Sequence, residues 1–107
     1  MLSPKNFYTG ELPTTEAVAY GGGAVSVQII TNIVLVNTSG SARTATVLID
    51  PTGTNTTKYA LLSALPLAAG ETVSVDIRQK FAGDIRCVAS GAGVNGFISG
   101  VYELGGV

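Results

Sequence analysis

No stretch of this 107-residue chain keeps a helical period for three turns, and that constrains the fold more than any other feature. "YALLSALPLAA" (59–69) comes nearest, but Pro66 interrupts it. Turn signals punctuate the chain instead: "NTSGSAR" (37–43), Asp50-Pro51-Thr52-Gly53, "PLAAGE" (66–71), "RQKFAGD" (78–84) and "GAGVNG" (91–96). In the second of these, Pro fixes φ and Gly tolerates a positive φ, the chemistry of a tight turn. The segments between them alternate with period two, as strands do. "TVSVDI" (72–77) sends Val73, Val75 and Ile77 one way and Thr72, Ser74 and Asp76 the other. "IRCVAS" (85–90) sets Ile85, Cys87 and Ala89 against Arg86, Val88 and Ser90. "AVAY" (17–20), "TATVLI" (44–49), "KYALL" (58–62) and "FISGVYEL" (97–104) are further strands, the last with Ile98, Tyr102 and Leu104 on one face.

Seven or eight short antiparallel strands of this kind predict an all-β chain, a single β-sandwich or jelly-roll-like domain over residues 17–107. Residues 1–16 carry Pro4, Gly10 and Pro13 with poor alternation, so they are expected to form an extended N-terminal arm. Its adjacent aromatics, Phe7 and Tyr8, suit docking on a neighbour.

The stretch "IITNIVLVNTSGSARTATVLI" (29–49) raises a packing problem. "AVSVQII" (24–30) places Val25, Val27 and Ile29 opposite Ser26 and Gln28, and "TNIVLVN" (31–37) follows with no turn between. The pair reads as one long strand with a bulge or bend near Thr31-Asn32. Ile33 and Leu35 can fill a core, but Val34 and Val36 then need a second cover. A neighbouring chain or the chain's own arm would supply it. "NTSGSAR" exceeds a two-residue hairpin loop and suits a wider hairpin or a crossover between sheets.

Composition limits the function. Charged residues make up 12% of the chain and the net charge is −1. The basic balance that nucleic acid demands is absent. The one local basic cluster, "RQKF" (78–81), reads as a solvated loop or a docking patch for an acidic surface. A surface of Thr, Ser, Asn and Gly is weakly self-repelling, which suits an assembly component. Apolar runs fall far short of the roughly 20 residues of a membrane helix, and "MLSPKNFYTGE" has no apolar core of a signal peptide. A cytoplasmic origin and no membrane partner are therefore expected. The glycosylation-like triplets at Asn37 and Asn55 then read as turn residues.

Catalytic chemistry is hard to assemble. The chain has no histidine and one cysteine, Cys87, which reads as a small core residue. One cysteine and scattered carboxylates make a poor zinc site, and Glu11, Glu16, Asp50, Glu71, Asp76, Asp84 and Glu103 form no calcium loop. They read as solvated charges and turn formers. "GAGVNG" matches a dinucleotide fingerprint literally, but a strand pattern follows it where a helix is needed. No enzyme, metal or cofactor is expected.

"FYTGELPTTEAVAY", "IITNIVLVNTSGSARTATVLI", "YALLSALPLAAGETVSVDI" and "AGDIRCVASGAGVNGFISGVYEL" together resemble small β-sandwich virion proteins of tailed bacteriophages. The order of the pieces across nearly the whole chain carries the resemblance. "YGGGAVSVQ" departs from it at one sheet corner. The resemblance implies a non-enzymatic particle component, favouring a capsid decoration or cement protein over a neck or tail-associated one. It implies a dimer or trimer that binds the major capsid or other virion proteins, located in the virion after assembly in the bacterial host cytoplasm. The interface candidates are Phe7, Tyr8, Val34, Val36, Val88 and Val101. A carbohydrate- or receptor-binding module is the alternative, with Tyr8, Tyr20, Tyr59 and Tyr102 as ring contacts and no Trp.

Overall fold

The computed structural model describes residues 3–22 and 27–103. It contains eight strands and, among the described residues, no helix: β1 (Ser3–Glu11), β2 (Ala17–Gly21), β3 (Val27–Asn37), β4 (Arg43–Asp50), β5 (Tyr59–Leu67), β6 (Thr72–Lys80), β7 (Asp84–Ala89) and β8 (Val94–Glu103). They form two antiparallel four-stranded sheets, β1-β8-β3-β6 and β2-β7-β4-β5. The first is called sheet A and the second sheet B. Of the seven connections, β4 to β5 alone stays within one sheet, and the other six cross between sheets. This order is that of a jelly roll. "NTSGSAR" is accordingly a crossover from β3 to β4.

One core lies between the sheets. Sheet A contributes Ile30, Ile33, Leu35, Val94 and Ile98, and sheet B contributes Ala45, Val47, Ile85, Cys87 and Ala89. Val73, Val75 and Ile77 pack against its margin, as their alternation predicts. Cys87 is buried, and burial pushes its thiol up to about 11, so it behaves as a core residue rather than a nucleophile.

Strand β3 departs from its predicted phase, and the predicted bulge is the cause. Its pairing with both neighbours shifts register between Ile30 and Asn32. One extra residue, Thr31, reverses the in–out alternation there. Ile33 and Leu35 point inward beyond the bulge, while before it the inward residues are Gln28 and Ile30. Val27 and Ile29 turn outward, the opposite of the simple alternation, and Val25 falls outside the described residues. Gln28 is thereby buried at 1% exposure with neither amide atom hydrogen-bonded.

The segment expected as an N-terminal arm is a strand from Ser3 to Glu11. Residues 3–11 form an edge strand paired with β8, so they lie beside the sheet and leave its outer face uncovered. Register shifts between Asn6 and Tyr8, and Phe7 turns into the core at 4% exposure. Its ring meets Tyr20 edge-on at 4.8 Å and Phe81 at 5.4 Å. Room for it comes from Gly100 of β8: a Cβ there would strike the Ile29 carbonyl oxygen and stand 2.8 Å from the Phe7 ring. Gly96 does the same for Leu12, with which a Cβ would collide. Both glycines face inward, so side chains from the β1 segment fill the space that β8 leaves empty.

Two further boundaries differ from expectation. β5 continues through Pro66 to Leu67 because it is an edge strand, where a missing N–H costs no ladder bond. β6 absorbs Arg78, Gln79 and Lys80, which the sequence pattern suggests as loop. The β3–β4 corner is organised by Asn37, fully buried, whose Nδ2 donates to the carbonyls of Ser41 (2.8 Å), Leu67 (3.1 Å) and Ala68 (3.1 Å). Its Oδ1 accepts from Ser39 N and Oγ. Asn37 is a turn residue, as its sequence setting suggests, with no amide left for a glycan.

Candidate interaction surface

The outer face of sheet A carries an apolar surface built by cross-strand pairing. Val34 of β3 lies opposite Phe97 of β8, and Ile29 opposite Val101. Val36 extends the first pair toward the β3 end, where Asn95 faces it. Phe97 is 42% exposed, while Ile29, Val34, Val36 and Val101 are half-buried by one another. The two pairs are separated by a polar row, Asn6, Ser99, Asn32 and Asp76, in successive strands. Asn32 Nδ2 donates to Asp76 Oδ1 at 2.7 Å, which fixes that row. Beside it, Ile29, Thr31, Arg78 and Val101 line a shallow hollow of about 250 Å³.

The six sequence-derived interface residues divide. Val34, Val36 and Val101 share this face. Val88 is half-buried on the outside of the other sheet, opposite Thr46. Phe7 is a core residue, and Tyr8 packs against the core while its hydroxyl donates to the Glu11 carbonyl at 2.6 Å. Two contributors to the patch, Ile29 and Phe97, were missed. For Phe97 the signal was available, since alternation with an inward Ile98 sends it outward. For Ile29 it was hidden by the phase reversal at Thr31.

Sheet B is finished differently. Row by row, Val18, Arg86, Leu48 and Ala60 face one another across its strands. Arg86 Nε donates to Glu16 Oε2 at 2.8 Å, and Lys58 Nζ donates to the same oxygen at 2.6 Å. The Lys58 hydrogen bond and then that of Arg86 hold the Glu16 carboxyl below the usual carboxylate range. This cluster ties the β1–β2 link, the loop before β5 and β7 together.

The remaining acidic groups brace the chain. Asp50, fully buried, accepts from Gly53 N and Asn55 N. Glu71 accepts from Ala68 N, and Glu11 from Gly93 N. Among the described residues no three His, Cys, Asp or Glu side chains converge as a metal site would require. "GAGVNG" is the β7–β8 turn running into β8, with Gly93 at φ 97°, so no helix N-terminus stands there for a phosphate. An open hollow of about 360 Å³ between Arg43, Thr44, Pro66 and Leu67 is almost wholly apolar, and Arg43 Nε donates to the Ala92 carbonyl. The tyrosines form no platform: Tyr59 stands alone at 61% exposure on β5, while Tyr20 and Tyr102 flank Lys5, whose Nζ is 5.6 Å and 5.2 Å from their rings.

The fold is shared with a solved structure. It is a chain in the structure of infectious bursal disease virus Gx strain, with a TM-score of 0.53 and 14% identity. The match covers 99% of this chain and 33% of that one, so the present chain corresponds to a third of its neighbour's length. No protein-family model matches, and no curated protein matches.

Proposed function

We propose that this protein is a non-enzymatic structural component of a bacteriophage particle, a capsid decoration or cement protein that binds the shell as a homo-oligomer. The observation that carries the proposal is the apolar outer face of sheet A, where Val34–Phe97 and Ile29–Val101 are paired side by side with no described strand laid over them. Such a face suits burial against another protein. The jelly-roll fold, shared with a chain of a virus structure, supports a role in a particle. Fold alone does not assign function, so the site bears the weight. Catalysis has little to work with: there is no histidine, the thiol is buried, and Glu11, Glu16, Asp50, Glu71 and Asp76 serve neighbouring hydrogen bonds. Each contact with a shell can be weak, because many copies engage a repeating lattice together.

The test is co-sedimentation of purified protein with phage shells lacking it, followed by reconstruction of the decorated particle. Saturable binding, with the outer face of sheet A against the shell, is the expected result. Absence of binding to any shell would overturn the reading, and density at the neck or tail would move the protein to those positions. A carbohydrate-binding role has, among the described residues, two exposed rings in its favour, Tyr59 and Phe97, which stand on different sheets.

A further inference from the structure

The two sheets offer four edges, and three of them are blunted. β1 carries Pro4 and a register break at Phe7. β2 is five residues long with a break between Val18 and Tyr20. β5 carries Pro66, two register breaks and Ala64 at φ 48°. Each device discourages another strand from adding to the edge. β6 differs. Its pairing with β3 shifts register between Asp76 and Gln79, but its nine residues, Thr72–Lys80, contain no Pro, no Gly and no positive φ, and no described strand pairs with its outer edge.

Its charges would protect it from many strands, but they suit one. In a two-fold antiparallel pair of β6 with a second β6, the axis is perpendicular to the sheet and opposed residues share a face. An axis through Asp76 sets Asp76 against itself, and one through Arg78 offsets its two Asp76–Lys80 pairs by setting Arg78 against itself. An axis through Val75 opposes the charges to Ser74 and Thr72. An axis through Ile77 places Asp76 opposite Arg78 twice and Ser74 opposite Lys80 twice. Asp76 and Arg78 are both exposed and both on the outward alternation of β6, so the required side chains stand on one face. Opposite charges directly across a ladder stabilise it and like charges destabilise it.

We infer that the β6 edge is a self-association surface, and that its partner is β6 of a second copy of this chain, paired antiparallel about Ile77. The pairing joins two copies of sheet A into one continuous eight-stranded sheet. It also turns both apolar outer faces to the same side, doubling the surface available to a shell. The inference deepens the homo-oligomer in the proposed function and rests on that reading for its purpose; its test needs no particle.

The experiment is sedimentation equilibrium of the purified full chain, with circular dichroism melting to show that every variant is folded. Wild type is expected to dimerise. R78D alone and D76R alone each replace two attractive pairs with two repulsive ones, and each should weaken the dimer about ten-fold or more. R78D keeps the Asn32–Asp76 hydrogen bond, so its effect cannot come from losing that row. Mixed in equal amounts, the two variants are complementary to each other and should recover a dimer near wild-type affinity. Wild type that stays monomeric into the millimolar range, single variants that dimerise normally, or a mixture that stays monomeric would each overturn the inference. A monomer that still decorates shells would leave the proposed function standing, and a dimer that ignores shells would leave this inference standing.

Discussion

The outer faces of the two sheets begin from similar materials and end differently. Both present apolar residues: Val34, Val36, Val101 and Phe97 on sheet A; Val18, Leu48 and Val88 on sheet B. On sheet B, Arg86 stands between Val18 and Leu48, and Glu16 and Lys58 close over it. That face carries a charged cluster at its centre, with Val18 still 49% exposed beside it. On sheet A the polar row of Asn6, Ser99 and Asn32 divides the apolar pairs without covering them. The inner faces contrast too. β7 fills the core with Ile85, Cys87 and Ala89, whereas β8 offers Gly96 and Gly100 and borrows Leu12 and Phe7 from the β1 side.

The borrowed core is the sharpest way to break the contrast. Gly100→Val drives a side chain into the Ile29 carbonyl and the Phe7 ring. A loss of about 3 kcal/mol is expected in urea unfolding, with β1 displaced, because backbone cannot yield as a flexible side chain can. Cys87→Val on the sheet B side is a small change of shape and should cost under about 1.5 kcal/mol.

Next come the outer faces. V34D/F97D should lower shell affinity about thirty-fold, the loss of a buried anchor pair, while melting changes little. Val88→Asp on sheet B should leave binding unchanged. Equal losses from both faces, measured by co-sedimentation, would erase the distinction between them.

The smallest effect tests the charged cluster. Glu16→Gln removes the negative charge shared by Lys58 and Arg86, and about 1 kcal/mol should be lost at neutral pH. Glu16 is held below its ordinary carboxylate range, so the unfolded chain binds this proton more readily. The stabilisation is therefore complete above the unfolded pKa and disappears as pH falls through the lower, folded one. Thermal melts of wild type and E16Q should converge in acid and also in high salt.

Where neighbours reinforce alternation, the fold was legible. β6 and β7 have the faces their sequence implies, and Asp50-Pro51-Thr52-Gly53 turns where expected. The bulge near Thr31 was legible in place but not in consequence: one inserted residue exchanged Ile29 for Gln28 in the core. Phe7 was misread because its strand carries Pro4, breaks register at Phe7 itself and finds its partner in a glycine some ninety positions away. Val34, Val36 and Val101 were legible as outward residues, yet their companionship with Phe97 required strand order, which alternation does not carry. Phe7 and Tyr8 entered the same list as aromatics of the arm and Val88 as an outward apolar residue, and burial and sheet membership separate them.

The pairing of β1 with β8 also sets a schedule. Sheet A has β8 at its middle, between the earliest described strand and β3, so it cannot close while β8 is still being made. Such distant pairing makes for slow folding. It also means that Val34 waits for Phe97, and Ile29 for Val101. The apolar outer face is completed last. A nascent chain therefore holds Val34 and Ile29 without their cross-strand partners until its last strand is made.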